Sequence, residues 1–445
     1  MRNIVLASAA LALAACATGS PPVSELTVMP AAYEYAGASG QAGKSDAEWW
    51  KTFDDPALND LVAASLAANQ DIAGGLAALR SARAAVRSAN ASLFPQISAG
   101  ASASSNTEGG GLDDVSGAAR GSASYQLDLF GQNAANRRAA RASYVAQEYD
   151  QRALELTVAS NVAFTYFSVL AGRERLKVAQ SNLDISERIF SIVEIRYKAG
   201  DVSSFDLESQ RASLANARAR LPQIEQQLVS LETALSVLLG QAPQGYDAPE
   251  GDIRAMTPPL INPGMPSELL LRRPDLLSAE AGLRAADADV VAAERAFFPS
   301  IDLSAGLSAG LTGGTSVIGS LAASLAAPIF TGGRLEGQLD SAKARVDQQI
   351  ARYRQATLNA LRDVDVSLSA LATAEEREKQ LVVARDASEA SLSRAEIRYR
   401  TGADDLTSLL NAQSSYFSAS DSFVQGRLDR LAAAVDLYAA IGGGW

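Results

Sequence analysis

Phe297-Phe298-Pro299-Ser300-Ile301 repeats a segment already met upstream, Leu93-Phe94-Pro95-Gln96-Ile97, with 204 positions separating Phe94 from Phe298. In each copy the proline ends a helical pattern and opens an alternating one. Working outward, Asp71-Ile72 with Arg80 returns as Asp275-Leu276 with Arg284 at the same offset of 204. Leu129-Phe130 pairs with Ile329-Phe330, 200 apart, and Arg196-Tyr197-Lys198-Ala199-Gly200 with Arg398-Tyr399-Arg400-Thr401-Gly402, 202 apart. Four landmarks in one order, with offsets drifting by only a few residues, mark a duplicated unit. Each unit reads helix, strand, strand, very long helix, turn, helix.

The strands carry a period of two. Ile301, Leu303, Ala305, Leu307, Ala309 and Leu311 alternate with Asp302, Ser304, Gly306, Ser308 and Gly310. Similar alternation gives strands at about 96–106, 119–130, 299–311 and 317–330. Segments of about 9–11 residues, apolar on one side and small or polar on the other, fit transmembrane strands. Half-buried strands of a soluble sandwich alternate in the same way. Four strands cannot close a barrel and open edges are not tolerated in lipid, so several chains must pool them; three would supply about 12. The Gly, Asp, Ser and Thr-rich loops, Asn106 to Gly117 and Thr312 to Thr315, would face outside. Asp128 and Asp302 on the polar strand face predict a mild cation preference.

Gln132 to Tyr197 and Arg334 to Tyr399 are proline-free. At 1.5 Å per residue each helix would reach roughly 100 Å. In the second, Leu335, Leu339, Ala342, Val346, Ile350, Tyr353, Thr357, Leu361, Val364, Leu368 and Leu371 step by three and four, the coiled-coil pattern. Gly200 and Gly402 supply left-handed C-caps, and Ser203 or Asp404 can cap the returning helices. Pro222 should kink or break the first returning helix. Earlier, a helix runs from Pro56 to about Asn69, and Asp71 can cap another that reaches Leu93.

The chain has 445 residues, 39 basic and 50 acidic, giving −11, which argues against nucleic acid. It lacks histidine and has one cysteine, so the commonest general base and metal ligand is missing. Gly109-Gly110-Gly111 lies between strands and reads as loop, not a phosphate cradle. Nothing here suggests an enzyme, a cofactor or a metal site. Beyond the first segment no apolar run of about 18 residues is evident.

At the N-terminus, Arg2, the apolar stretch Ile4 to Ala14, and Leu13-Ala14-Ala15-Cys16 read as an export signal over residues 1–15. The last four residues resemble the bacterial lipobox, which implies that Cys16 carries the lipid, palmitate included. Ala17 follows, where the inner-membrane retention signal has Asp, so the resemblance favours the outer membrane. Residues 16–56 then form a lipid-anchored linker, 57–240 the first repeat, 241–265 an inter-repeat linker and 266–445 the second repeat.

Trp49-Trp50, Arg272-Arg273-Pro274-Asp275-Leu276, the Phe-Phe-Pro segment, Arg398 to Gly402 and the terminal Gly442-Gly443-Gly444-Trp445 carry a resemblance that spans nearly the whole mature chain. The chain resembles the outer membrane factors, TolC-like proteins, and most closely the nodulation-type outer-membrane lipoproteins of tripartite efflux pumps. The resemblance implies a mixed α and β membrane protein, a homotrimer with a 12-stranded outer-membrane β-barrel continued by a periplasmic α-helical barrel. Such a trimer is a passive gated duct for small molecules. An inner-membrane pump of the resistance-nodulation-division type and a periplasmic adaptor are the implied partners. Carried over by position, Asp206 and Tyr399 fall on the periplasmic gate, with Asp404, Asp405 and Asn411. Asn411 stands where the family often has Asp, so Asp404 and Asp405 are expected to supply the charge instead. Ala199, Gly200, Thr401 and Gly402 fall on the turns that meet the adaptor. A periplasmic adaptor lipoprotein and a non-conducting envelope scaffold are the rival readings.

Overall fold

The structure is a computed structural model and describes residues 29–35, 48–105, 115–310 and 316–443. Cys16 with its signal segment, most of both strand-connecting loops and Gly444-Trp445 lie outside the described residues. The elements run α1 (Pro56–Ala68), α2 (Gln70–Ala91), β1 (Gln96–Ser105), β2 (Val115–Leu127), α3 (Gln132–Ala199), α4 (Ser204–Leu238), a short α5 (Leu269–Arg272), α6 (Pro274–Arg295), β3 (Ser300–Gly310), β4 (Val317–Ala326), α7 (Arg334–Arg400) and α8 (Leu406–Ala440). Two compact units form. Among the described residues, one joins Leu76–Asp150 and Asp275–Thr357, and the other joins Met29–Gly75, Gln151–Pro274 and the chain from Leu358 onward.

The first unit holds a four-stranded antiparallel sheet of order β1-β2-β3-β4. Its middle pair, β2 with β3, joins the two repeats. The register stacks the alternating residues into rows across all four strands. Ile97, Ala123, Ala305 and Leu321 form one row; Ala99, Gly121, Leu307 and Gly319 the next; Ala101, Ala119, Ala309 and Val317 another. Leu127, Ile301 and Leu325 continue the same face. The opposite face carries Ser98, Ser122, Gly306 and Ser320, then Gly100, Arg120, Ser308 and Ile318. Because side chains alternate with a period of two, this register places every apolar row on one side. Among the described residues nothing covers its edge strands: Ile97 is 83% exposed and Leu321 86%.

The strand limits differ from those read in the sequence. β2 starts at Val115 rather than 119 and stops at Leu127, and β4 stops at Ala326 rather than near 330. Asp128 leaves the sheet because its carboxylate accepts from the amides of Asn133 (2.9 Å) and Ala134 (2.8 Å), capping α3. Pro328, two residues beyond β4, has no amide for a ladder. In the same unit the expected seam of α7 is inward, with Leu335, Ala342 and Tyr353 buried.

The second unit is helical. Trp49 stacks on Tyr438 with centroids 5.1 Å apart, and Phe53 lies 5.2 Å from Phe167. Val158, Val162, Tyr166, Phe167 and Leu170 of α3 are buried there. This α3 contains an apolar window long enough to cross a membrane, half of it buried inside the protein; the sequence reading had missed it. Length and composition alone meet that test, and the buried half of the window packs inside this unit. Part of the segment read as a linker packs on this unit, since Tyr33 is buried and the Glu34 amide donates to Asp365. Asn69, not Asp71, caps α2, accepting from the amides of Asp71 and Ile72. Pro222 sits inside an unbroken α4.

The inter-repeat segment is clamped by two arginines. Arg173 donates to the carbonyls of Ala248 and Pro249, and Arg427 to those of Ile253, Arg254 and Met256. Arg427 also bonds Glu378 at 2.6 Å, and Arg430 reaches the same carboxylate at 2.8 Å. Gly442 meets the Arg272 backbone so closely that a Cβ would lie 2.9 Å from its carbonyl oxygen.

Candidate functional site: the paired helical turns

Both long helices end in the same hydrogen-bonded turn. Gly200 has φ +83° and Gly402 φ +73°, a conformation that glycine adopts without a Cβ penalty. Asp201 N donates to Arg196 O, and Ala403 N to Arg398 O, both at 2.8 Å. This six-to-one bond with the preceding shorter one is the Schellman closure. Ala199, Gly200, Thr401 and Gly402 are all exposed.

The returning helices are capped differently. Ser203 caps α4 in a reciprocal box: its Oγ accepts from the Asp206 amide at 3.2 Å, while Asp206 Oδ2 accepts from the Ser203 amide at 3.0 Å and hydroxyl at 2.8 Å. In α8 the cap is Asp405, not Asp404: Asp405 Oδ1 accepts from the Ser408 amide at 2.8 Å. That bond holds the Asp405 carboxyl below its ordinary value. Asp404 turns back to Arg398 Nε at 3.2 Å. Asn411 is exposed.

Tyr399 is 2% exposed, packed with Ile185, Ile189, Val193, Leu207, Leu392, Leu406 and Leu409. Burial pushes its phenol up, the Arg196 guanidinium opposes the shift and the Asp206 carboxylate adds to it. Arg196 lies 4.9 Å from the Tyr399 ring centroid and donates to its carbonyl oxygen at 3.3 Å. Asp206 and Tyr399 therefore share one cluster with Arg196, which the sequence reading had not singled out. Tyr197, which matches Tyr399 in the other repeat, is 42% exposed; Ile195 (63%), Ile397 (60%) and Phe205 (78%) join it as uncovered apolar side chains.

One layer above the turns lies a buried polar pin that sequence reasoning passed over. Gln413 Nε2 donates to Ser186 Oγ at 2.6 Å and to Asn182 Oδ1 at 3.1 Å, and Gln210 Nε2 donates to Ser186 O at 3.1 Å. Both glutamines are buried. Their signal was available: Glu208-Ser209-Gln210 and Asn411-Ala412-Gln413 are 203 apart.

At the helix-to-strand junction Phe130 stacks on Phe298 with centroids 4.9 Å apart, and Phe94, Phe297 and Phe330 are exposed nearby in sequence. Among the described residues no group of three or more His, Cys, Asp or Glu could hold a metal ion.

The sequence profile described as outer membrane efflux protein matches residues 61–241 and again 265–443. The chain belongs to this family. Among similar proteins, the pyoverdine export outer membrane protein OpmQ of Pseudomonas aeruginosa is 36% identical over all of this chain and 97% of its own length. The toluene efflux pump outer membrane protein TtgC of Pseudomonas putida is 31% identical over 92% of this chain and 87% of its own. The solved outer-membrane channel OprN superposes with a TM-score of 0.84 at 31% identity, over 96% of this chain and 99% of that one. As an outer membrane efflux protein the chain is an exit channel for a tripartite pump, with a TolC-like mixed α and β fold. Members of this family are ducts rather than enzymes, and they act in the outer membrane.

Proposed function

We propose that three copies pool their sheets into one closed outer-membrane barrel of about 12 strands, continued by a periplasmic helical barrel. The observation that carries this reading is the sheet itself: one predominantly apolar face, exposed among the described residues, with β1 and β4 each paired on one side only. In hydrocarbon, unpaired strand edges leave amides and carbonyls unsatisfied, so β4 of one copy must pair β1 of the next. The clustered phenylalanines at the strand ends suit the interfacial girdle of such a barrel. Cys16 supplies a lipid anchor in the same membrane.

The paired Gly turns, flanked by Ile195, Tyr197, Phe205 and Ile397, meet the periplasmic adaptor, beneath which stands an inner-membrane pump of the resistance-nodulation-division type. The gate is built from the same turns. Asp206, Asp404, Asp405 and Asn411 supply the polar rim, and Tyr399 acts from behind it as the packed joint between hairpins. Cargo choice belongs to the pump, since relatives of similar length are named for pyoverdine in one case and toluene in another. Light scattering of detergent-extracted protein, followed by planar-bilayer recording, tests the reading. A trimer with small, mostly closed conductance is expected; a monomer that stays soluble without detergent after lipid removal would overturn it.

A further inference from the structure

In a chain of net charge −11, four arginines converge on one groove of the sheet-bearing unit. Arg83 of α2 faces Arg137, Arg138 and Arg141 of α3, with Asn90 and Tyr144 completing a space of about 520 Å³. None of the four pairs with a carboxylate among the described residues. The acidic groups nearby are engaged elsewhere: Glu148 with the Tyr144 hydroxyl, Asp128 with the first amides of α3, and Asp150 with Ser278 Oγ at 2.6 Å. The second repeat has no equivalent, because Asp287 stands at the position of Arg83 and Asp340 near that of Arg138.

We propose that this groove binds the phosphate-bearing headgroup of an anionic phospholipid from the periplasmic leaflet. The placement rests on the reading that the strands cross the outer membrane. Arg137 lies five residues into α3, about 8 Å along its axis, and the headgroup layer is about 5–8 Å deep on each side of the hydrocarbon. Side chains on a helix tilt toward its N-terminus, so Arg137, Arg138 and Arg141 lean toward the strands, and long arginine stems extend that reach. Guanidinium forks bind phosphate oxygens in pairs, which a single surface lysine does not.

Native mass spectrometry of full-length trimers exchanged into phosphatidylglycerol or phosphatidylcholine tests the site. Wild type should retain phosphatidylglycerol preferentially, and Arg83→Gln with Arg137→Gln and Arg141→Gln together should cut that retention at least about tenfold, given about fivefold per basic residue at an anionic surface. Lys198→Gln with Arg211→Gln and Arg400→Gln removes equal charge at the helical turns and should leave it unchanged. Equal retention by wild type and the groove variant would overturn the proposal. So would wild-type trimers that take up no phosphatidylglycerol, which would hand the groove to a neighbouring copy, or inorganic phosphate that displaces the lipid at millimolar concentration, which would make it a free-anion site. The same samples go onto planar bilayers: protein that conducts but ignores phosphatidylglycerol sinks only the lipid site, whereas protein that never conducts sinks the channel reading.

Discussion

Gln413 on α8 donates to the hydroxyl of Ser186 on α3 at 2.6 Å, across 227 positions of sequence, and the carbonyl of that same serine accepts from Gln210 on α4. One residue of a long helix thus ties down both returning helices, a layer away from the Gly turns. Burial makes the tie costly to break, since each freed polar group stays out of water.

Gln413→Leu removes the donor and leaves Ser186 Oγ and Asn182 Oδ1 without it. The expected loss is about 1–3 kcal/mol, read as a lower unfolding temperature. Unchanged stability would show that the pin is ornamental.

Asp206 has two separable roles, partner of Ser203 in the capping box and charge. Asp206→Asn keeps an acceptor for Ser203 and removes the charge; Asp206→Ala removes both and should be the less stable of the two. If the carboxylate lines the gate, both variants raise single-channel conductance and relieve cation block. A change confined to stability, in Ala only, would reduce Asp206 to a cap.

Asp405 sets a pH dependence. Its carboxyl is depressed below the ordinary value of 3.8 by the Ser408 amide. A depressed acid contributes stability above the unfolded value and loses it as pH falls through the folded one. The hydrogen-exchange protection factor of the Ser408 amide, corrected for the intrinsic rate, should therefore be high at neutral pH and fall as pH drops below about 4, and Asp405→Ala should be poorly protected at both. A pH-independent pattern in wild type would refute the cap.

The two sheet faces should answer oppositely to charge. Leu321→Arg puts a cation on the apolar face in mid-strand, at about 2–4 kcal/mol in a bilayer, and should abolish outer-membrane trimers. Ser320→Arg, one residue away on the face shared with Arg120, should assemble. If both variants assemble equally, that face does not meet lipid.

Glu378 is enclosed with Arg427 and Arg430 (side chain 7% exposed), and Arg427 holds three carbonyls of the inter-repeat segment. Glu378→Ala takes from Arg427 its carboxylate partner and leaves Arg430 only Glu375 at 3.8 Å, and should cost up to about 3–5 kcal/mol, with proteolysis appearing near Arg254. Resistance equal to wild type would mean that the segment is held by other contacts.

The cation preference expected from Asp128 and Asp302 is weakened by geometry, since Asp128 lies beyond β2 as the cap of α3 and Arg120 shares the polar face. Alternation could mark which residues share a face, but not where the ladder stops. That depended on an amide requirement at the start of α3, five residues further on.

Local periodicity determined much of this protein from the sequence alone. The duplication, the strands, both long helices and both Gly turns follow from patterns repeating every two or 3.6 residues and from residues whose backbone preferences are intrinsic. Tertiary packing decided the rest. Tyr197 and Tyr399 occupy matching places in the two repeats, yet one is 42% exposed and the other 2%. Asp206 and Asn411 stand two residues apart in the repeat alignment, yet one closes a capping box and the other is free on the surface. Partners that lie some 200 residues away are chosen by which faces meet, as when β2 joins β3 or Ser186 receives Gln413. Neither local pattern nor composition encodes that choice, because it is made by burial summed over the whole unit.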